Sequence, residues 1–291
     1  MVKSIIRLLQ PEKIFLGALT YSLGAGIAKY LGHNIQPVTF LVGMVAVLAL
    51  MAATTLFNEY FRFPFLPIIT GVTSRDQVRF RTILLQISFA DLVVAAVCIL
   101  VLVIRFSFPL SFYLMNVITF LFLLSYSIPP FRLSKTGYGE LIAAIYLGTI
   151  LPVYSYLIQT GEFHRLLFFV TFPLTLLALA YLLVGNFSTF VADLKMGHNS
   201  LLHRMTWKWA VPFHQVLLLM AFLIFAVGPF VDIPWGVIWP VFLVLPFGII
   251  QMVLLQQVAA GGRPLWKLIK YLATSTFGLT SYLLSLTFWI R

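Results

Sequence analysis

The chain has 291 residues, of which 61% are hydrophobic and only 9% charged. Soluble domains carry about 25% charged residues, so the composition excludes a water-soluble globular protein and points to an all-α polytopic membrane protein. The formal net charge of +11 would suit nucleic acid, but the placement of the basic residues answers to membrane insertion instead.

A membrane span needs roughly 20 mostly apolar residues. Nine such stretches are expected in chain order: 14–31, 37–57, 82–104, 108–125, 140–159, 166–190, 209–228, 234–255 and 268–289. The first follows a basic, proline-containing segment and continues as a full span, so no cleavable signal peptide is expected. Turn-forming stretches separate several of them, at Gly32–Pro37, Ser127–Gly139, Gly161–Arg165 and Gly261–Pro264. With the N-terminus cytoplasmic, only Lys29, Arg105, Arg165 and Arg291 fall outside, and the other fifteen of the nineteen basic residues fall inside. That is the positive-inside pattern, and it suits an odd number of spans. The six tryptophans (207, 209, 235, 239, 266 and 289) sit near expected span ends, where interfacial anchors belong. Basic residues in those positions imply contact with anionic lipid and no nucleic acid. Cys98, the single cysteine, lies in an apolar run and reads as a small core residue.

A few polar residues stand out. Asn58 and Glu59 end the second span, while Asn186 and Asp193, two helical turns apart, end the sixth. If these tips converge, their oxygens suit a hard divalent ion such as Mg2+. Arg132, Lys135 and Lys195 in the neighbouring loops suit a diphosphate. Acids at span exits are also explained by simple solvation. Asp91 lies near the middle of the third span, where an ionisable group is costly and faces a partner or a cavity. It is either a structural polar group bonded to Gln86, Ser88 or another helix, or part of a site. His214 is either a ligand for a cofactor or pigment metal, or a helix-end histidine bonded to a backbone carbonyl. The 28 phenylalanines are lipid-facing and packing residues, or the walls of an isoprenoid cavity whose ring faces would steady a carbocation.

One stretch is more specific. "YSIPPFRLSKTGYGELIAAIYLGTILPVYSYLIQTGE", Tyr126 to Glu162, resembles the loop-4 and helix-5 region of the UbiA-type intramembrane prenyltransferases, closest to the branch acting on 1,4-dihydroxy-2-naphthoate. The shared pattern is Tyr-Ser-x-Pro-Pro-x-Arg-Leu, then Gly-x-Gly-Glu, then Gln-Thr-Gly. "PEKIFLGALTYSLGAGIA" resembles the family's first helix. "NEYF" resembles the start of its first Asp-rich motif, and "GNFSTFVADLKMGHNSLLHRM" resembles its second. The chain departs from both motifs. Glu59 stands at the first Asp, Arg62 at the next, and Pro67-Ile-Ile-Thr-Gly71 follows almost at once where the family has a long polar loop. In the second motif Asn186, Asp193 and Gly197 match, but Thr189 replaces the first Asp.

The resemblance implies one transmembrane domain over 1–291, with nine helices around a central cavity and the motif end cytoplasmic in a bacterial-type inner membrane. It implies transfer of an allylic prenyl group from a polyprenyl diphosphate to an aromatic quinone precursor, or a terpene cyclase on the same scaffold, with Mg2+ as cofactor if active. Asn58, Glu59, Asn186 and Asp193 would take the metal and diphosphate, helped by Arg132, Lys135 and Lys195, with Tyr126 close by. The alternative is a non-catalytic relative with degenerate motifs and no cofactor, binding quinone, carotenoid or lipid as a subunit of a larger membrane complex.

Overall fold

The computed structural model describes residues 2–61, 74–195, 200–231 and 233–291. Arg62, 67–71 and Gly197 lie outside the described residues, as do the side chains of Asp193 and Lys195.

The described residues are helical, with short turns between. In hydrocarbon every backbone N–H and C=O must be satisfied within the chain, which selects helices for apolar runs of this length. The elements are α1 (Val2–Leu8), α2 (Pro11–Tyr30), α3 (Pro37–Tyr60), α4 (Ser74–Arg105), α5 (Leu110–Ser127), α6 (Gly139–Ile145), α7 (Leu151–Thr160), α8 (Arg165–Lys195), α9 (Leu201–Val227), α10 (Trp235–Ile238), α11 (Leu245–Ala259) and α12 (Trp266–Ile290). Pro11 and Pro37 open α2 and α3 in the first turn, where their missing N–H costs nothing. Gly161, at φ 77°, closes α7 in the left-handed conformation.

Seven helices among the described residues are long and apolar enough to cross a membrane: 37–60, 75–105, 110–127, 139–160, 165–190, 201–230 and 235–259. The first and last of the nine expected spans are also helical, as α2 and α12, but fall outside those seven. Glu12, Lys13 and Lys29 lower the hydropathy of α2, and the Ser and Thr residues that of α12; many of the small residues of both face protein. Thr20, Gly24 and Gly26 of α2 are buried, as are Thr276, Thr280, Ser281 and Ser285 of α12. The two helices pack against each other, and α2 also packs against α7. Burial separates centre from periphery: 72% of the 139–160 and 165–190 helices is buried, against 17% of α4.

Two irregularities shape the bundle. Tyr146–Ile150, between α6 and α7, forms a π turn. Pro152 has no N–H to give the Gly148 carbonyl, so a regular α ladder cannot run through it. A Cβ on Gly148 would meet Thr175 Cα at 2.5 Å, so only glycine lets α8 lie this close. The second break is at Thr206 (φ 60°, ψ 160°) inside α9. The seventh expected span therefore begins earlier than 209, on a helix that starts at Leu201.

Two expected tryptophan anchors are half-buried against other helices. Trp207 lies edge-on to Phe187 and Trp266, and Trp289 Nε1 donates to Ser22 O at 3.0 Å.

Candidate functional site: a polar chamber above an aromatic-lined channel

At one end of the bundle the starts of α2, α6 and α12 meet the ends of α3 and α5 and the second half of α8. They enclose a chamber of about 360 Å3. Its wall includes Glu12 and Lys13 from α2, Asn58 from α3, Tyr126 from α5, Glu140 from α6, Asn186 and Thr189 from α8, and Lys270 from α12.

The polar residues of the wall are tied together. Asn186 Nδ2 donates to Glu140 Oε1, and the Leu201 N–H donates to Glu140 Oε2 at 3.3 Å. One carboxylate thus links α6, α8 and the start of α9. Ser134 Oγ donates to Asn58 Oδ1 at 2.8 Å, and Arg132 Nη2 reaches Asn58 O at 3.5 Å. Tyr181 OH and Thr274 Oγ1 both donate to Glu12 Oε1, at 3.0 and 2.6 Å, joining α2 to α8 and α12. Arg132 occupies the left-handed region (φ 38°), a conformation that costs a non-glycine residue about 1–3 kcal/mol. Burial lowers the pKa of its guanidinium, and the nearby Glu59 carboxylate opposes that shift.

Beside the chamber lies a smaller, mostly apolar cavity of about 60 Å3. Lys13, Tyr126, Ala143 and Leu182 border both spaces, and Met51, Phe122, Tyr146 and Leu147 line the smaller one. Its aromatic wall is a stack. Phe122 lies 4.2 Å from Tyr146 at 13°, and 5.5 Å from Tyr126 at 19°. The π turn begins at Tyr146. Charged and amide groups in one space, with stacked rings in the next, match an amphiphile with a polar head and an apolar chain.

The residues expected from sequence divide as follows. Asn58, Asn186, Tyr126 and Thr189 line the same chamber. Arg132 reaches Asn58 and acts on Glu59. Lys135 is in the single 310 turn that follows Arg132 (Leu133–Lys135) and is not among the chamber's lining residues.

Asp91 stands apart on α4, outside the chamber wall. Neither expected partner serves it. Ser88 Oγ is spent on Leu84 O in its own helix, at 2.8 Å, and Asp91 Oδ2 is buried with no partner among the described residues. Among the described residues His214 is not bonded to a backbone carbonyl. Its Nε2 pairs with Gln251 Nε2 at 2.7 Å, and Thr276 Oγ1 donates to Gln251 Oε1 at 3.4 Å, a buried bridge across α9, α11 and α12.

Sequence reasoning missed Glu12, Lys13, Glu140 and Lys270 as wall residues. Glu140 lies within the quoted Gly-x-Gly-Glu pattern. Lys13 and Lys270 carried only a topological signal.

No protein-family model and no curated protein matches the sequence. Solved structures do. A UbiA homologue from Archaeoglobus fulgidus bound to GPP and Mg2+ is 17% identical, with a TM-score of 0.63, over 99% of this chain and 98% of its own. A UbiA homologue from Aeropyrum pernix K1 is 12% identical, with a TM-score of 0.57, over 94% and 96%. A digeranylgeranylglyceryl phosphate synthase structure is 15% identical, with a TM-score of 0.59, over 99% and 97%. The chain has the UbiA-type fold.

The Archaeoglobus neighbour holds Mg2+. Among the described residues no three His, Cys, Asp or Glu side chains could share an ion. The Asn58 oxygen accepts from Ser134, the Asn186 amide donates to Glu140, and Glu59 lies within electrostatic reach of the Arg132 cation. A hard cation needs several free oxygen ligands at once. The described residues do not fit a carboxylate-bound metal.

Proposed function

We propose that this chain is a prenyltransferase-like protein. It takes a polyprenyl diphosphate with its head in the polar chamber and its chain along Tyr126, Phe122 and Tyr146. The observation that carries the reading is that a chamber walled by Asn58, Asn186 and Lys13 adjoins a cavity of stacked aromatic rings, with Lys13, Tyr126, Ala143 and Leu182 lining both. The ring faces suit an allylic cation formed when the carbon–oxygen bond to diphosphate breaks. A ring carbon of an aromatic quinone precursor then forms the new carbon–carbon bond and gives up its proton. Asn58 and Asn186 face the head. The positive-inside pattern puts this end on the cytoplasmic side of an inner membrane. The α2 and α12 helices bring the spans to nine.

The test is release of diphosphate from geranylgeranyl diphosphate by the purified protein with 1,4-dihydroxy-2-naphthoate as acceptor, and the prenylated product read by mass spectrometry. Glu59→Gln and Asp193→Asn should each reduce the rate. Failure of every allylic donor to turn over would refute the enzyme reading. A second reading is favoured by the commitment of both chamber amides to protein partners: a subunit that holds quinone, carotenoid or lipid. It predicts tight ligand retention without turnover and co-purification with a stoichiometric membrane complex.

A further inference from the structure

We infer that Lys13 supplies the counter-charge for the head group, so that a prenyl diphosphate binds in this chamber without a divalent metal. The inference rests on the prenyl-diphosphate reading above and names what grips the head. Lys13 borders both the polar chamber and the aromatic channel, the junction where the first phosphate of a ligand with its chain in the channel would fall. It is partly buried in the first turn of α2, and among the described residues its ammonium has no hydrogen-bond partner. Three N–H donors are therefore unspent.

The carboxylates within its electrostatic reach, Glu12 and Glu140, are both held by other donors. Glu12 accepts from Tyr181 and Thr274, and Glu140 accepts from Asn186 and the Leu201 N–H. A desolvated ammonium without a hydrogen-bonded partner is unfavourable until an anion arrives. Lys270, exposed on the same wall, adds a second cation from α12. The positive end of the α2 dipole lies beside Lys13 and has the same sign. Among the described residues Asn58 Oδ1 and both Glu140 oxygens already accept hydrogen bonds, while the ammonium that can bind phosphate directly has its donors unspent.

The experiment is equilibrium binding of radiolabelled geranylgeranyl diphosphate to the full-length protein in detergent, in excess EDTA and in excess Mg2+, with geranylgeraniol as the uncharged control. The wild-type protein should bind the diphosphate in EDTA with a Kd within about threefold of that in Mg2+. Lys13→Gln should weaken diphosphate binding about 10- to 100-fold in both conditions, the size of one lost charge-assisted hydrogen bond. Lys13→Arg should restore most of it. Geranylgeraniol binding should be the same in all three proteins, which also shows that the variants are folded. Binding that appears only with Mg2+, or that Lys13→Gln leaves unchanged, overturns the inference while the prenyl-diphosphate reading stands. No binding of the diphosphate in either condition overturns both.

Discussion

Replacing Gly24 with alanine probes the contact that places α7, and with it the π turn at the channel wall. At Gly24 the backbones of α2 and α7 come together. A Cβ there would meet the Pro152 carbonyl oxygen and lie 2.8 Å from its carbon and 2.9 Å from Pro152 Cα. Carbon atoms in ordinary contact are about 3.6 Å apart, so the helices must separate locally by at least about 0.8 Å, and more to clear the carbonyl oxygen. The obstacle is backbone and cannot rotate away, which places the cost near the upper end of the overpacking range, about 3 kcal/mol. Alanine recovers about 1 kcal/mol through its better helix propensity. The balance is a loss of about 2 kcal/mol, or about 4 °C in Tm for a chain of this size. Thermal unfolding in detergent, followed by tryptophan fluorescence, measures it. Gly185→Ala is the control, because a Cβ there meets nothing within 4 Å. It should hold or raise the Tm. A Gly24→Ala protein as stable as the wild type would refute the close approach, and with it the reason α2 carries glycine at this position.

Three further outcomes are expected. Glu140→Ala leaves Asn186 Nδ2 and the Leu201 N–H without their acceptor, which should cost about 1–3 kcal/mol and speed hydrogen exchange at the start of α9. Tyr146→Leu removes a ring stacked 4.2 Å from Phe122. Losing such a pair should lower stability by about 0.5–1.5 kcal/mol, and geranylgeranyl diphosphate should bind more weakly if its chain runs along this wall; unchanged binding would place the chain elsewhere. Gln251→Leu strips the buried His214 ring of its partner, since Nδ1 already has none among the described residues. A loss of about 1–3 kcal/mol is expected in the same melting assay.

Much of the helical layout was legible because apolar length and proline or glycine punctuation are local signals. Pro37 and Gly161 bound helices as their chemistry requires. The meeting of Asn58 with Asn186 was legible as a conditional, since each lies at a span end of the same sidedness. What the chain did not display was direction. Lys13 and Lys270 counted as inner-side charges, and a lysine near a span end looks the same whether it faces water or a chamber. The tryptophans posed the same ambiguity, and Trp207 and Trp289 pack half-buried against other helices. Asp91 was matched to Ser88 by proximity, yet a helical serine can spend its proton on the carbonyl four residues back, as Ser88 does on Leu84. The hydropathy of α2 and α12 understated their place in the bundle, because their small polar residues are buried against other helices. The π turn follows from Pro152, but the aromatic stack it presents depends on the packing of α5 and could not be read locally.

The central claim is that a prenyl chain runs from the Asn58–Asn186 chamber down the Tyr126, Phe122 and Tyr146 wall. Photo-crosslinking with a benzophenone-tagged prenyl diphosphate, mapped by peptide mass spectrometry, tests it most directly. The account predicts crosslinks in the Phe122–Tyr126 and Ala143–Leu147 segments that unlabelled geranylgeranyl diphosphate competes away. Crosslinks confined to the lipid-facing side of α4, or indifferent to that competitor, would contradict it.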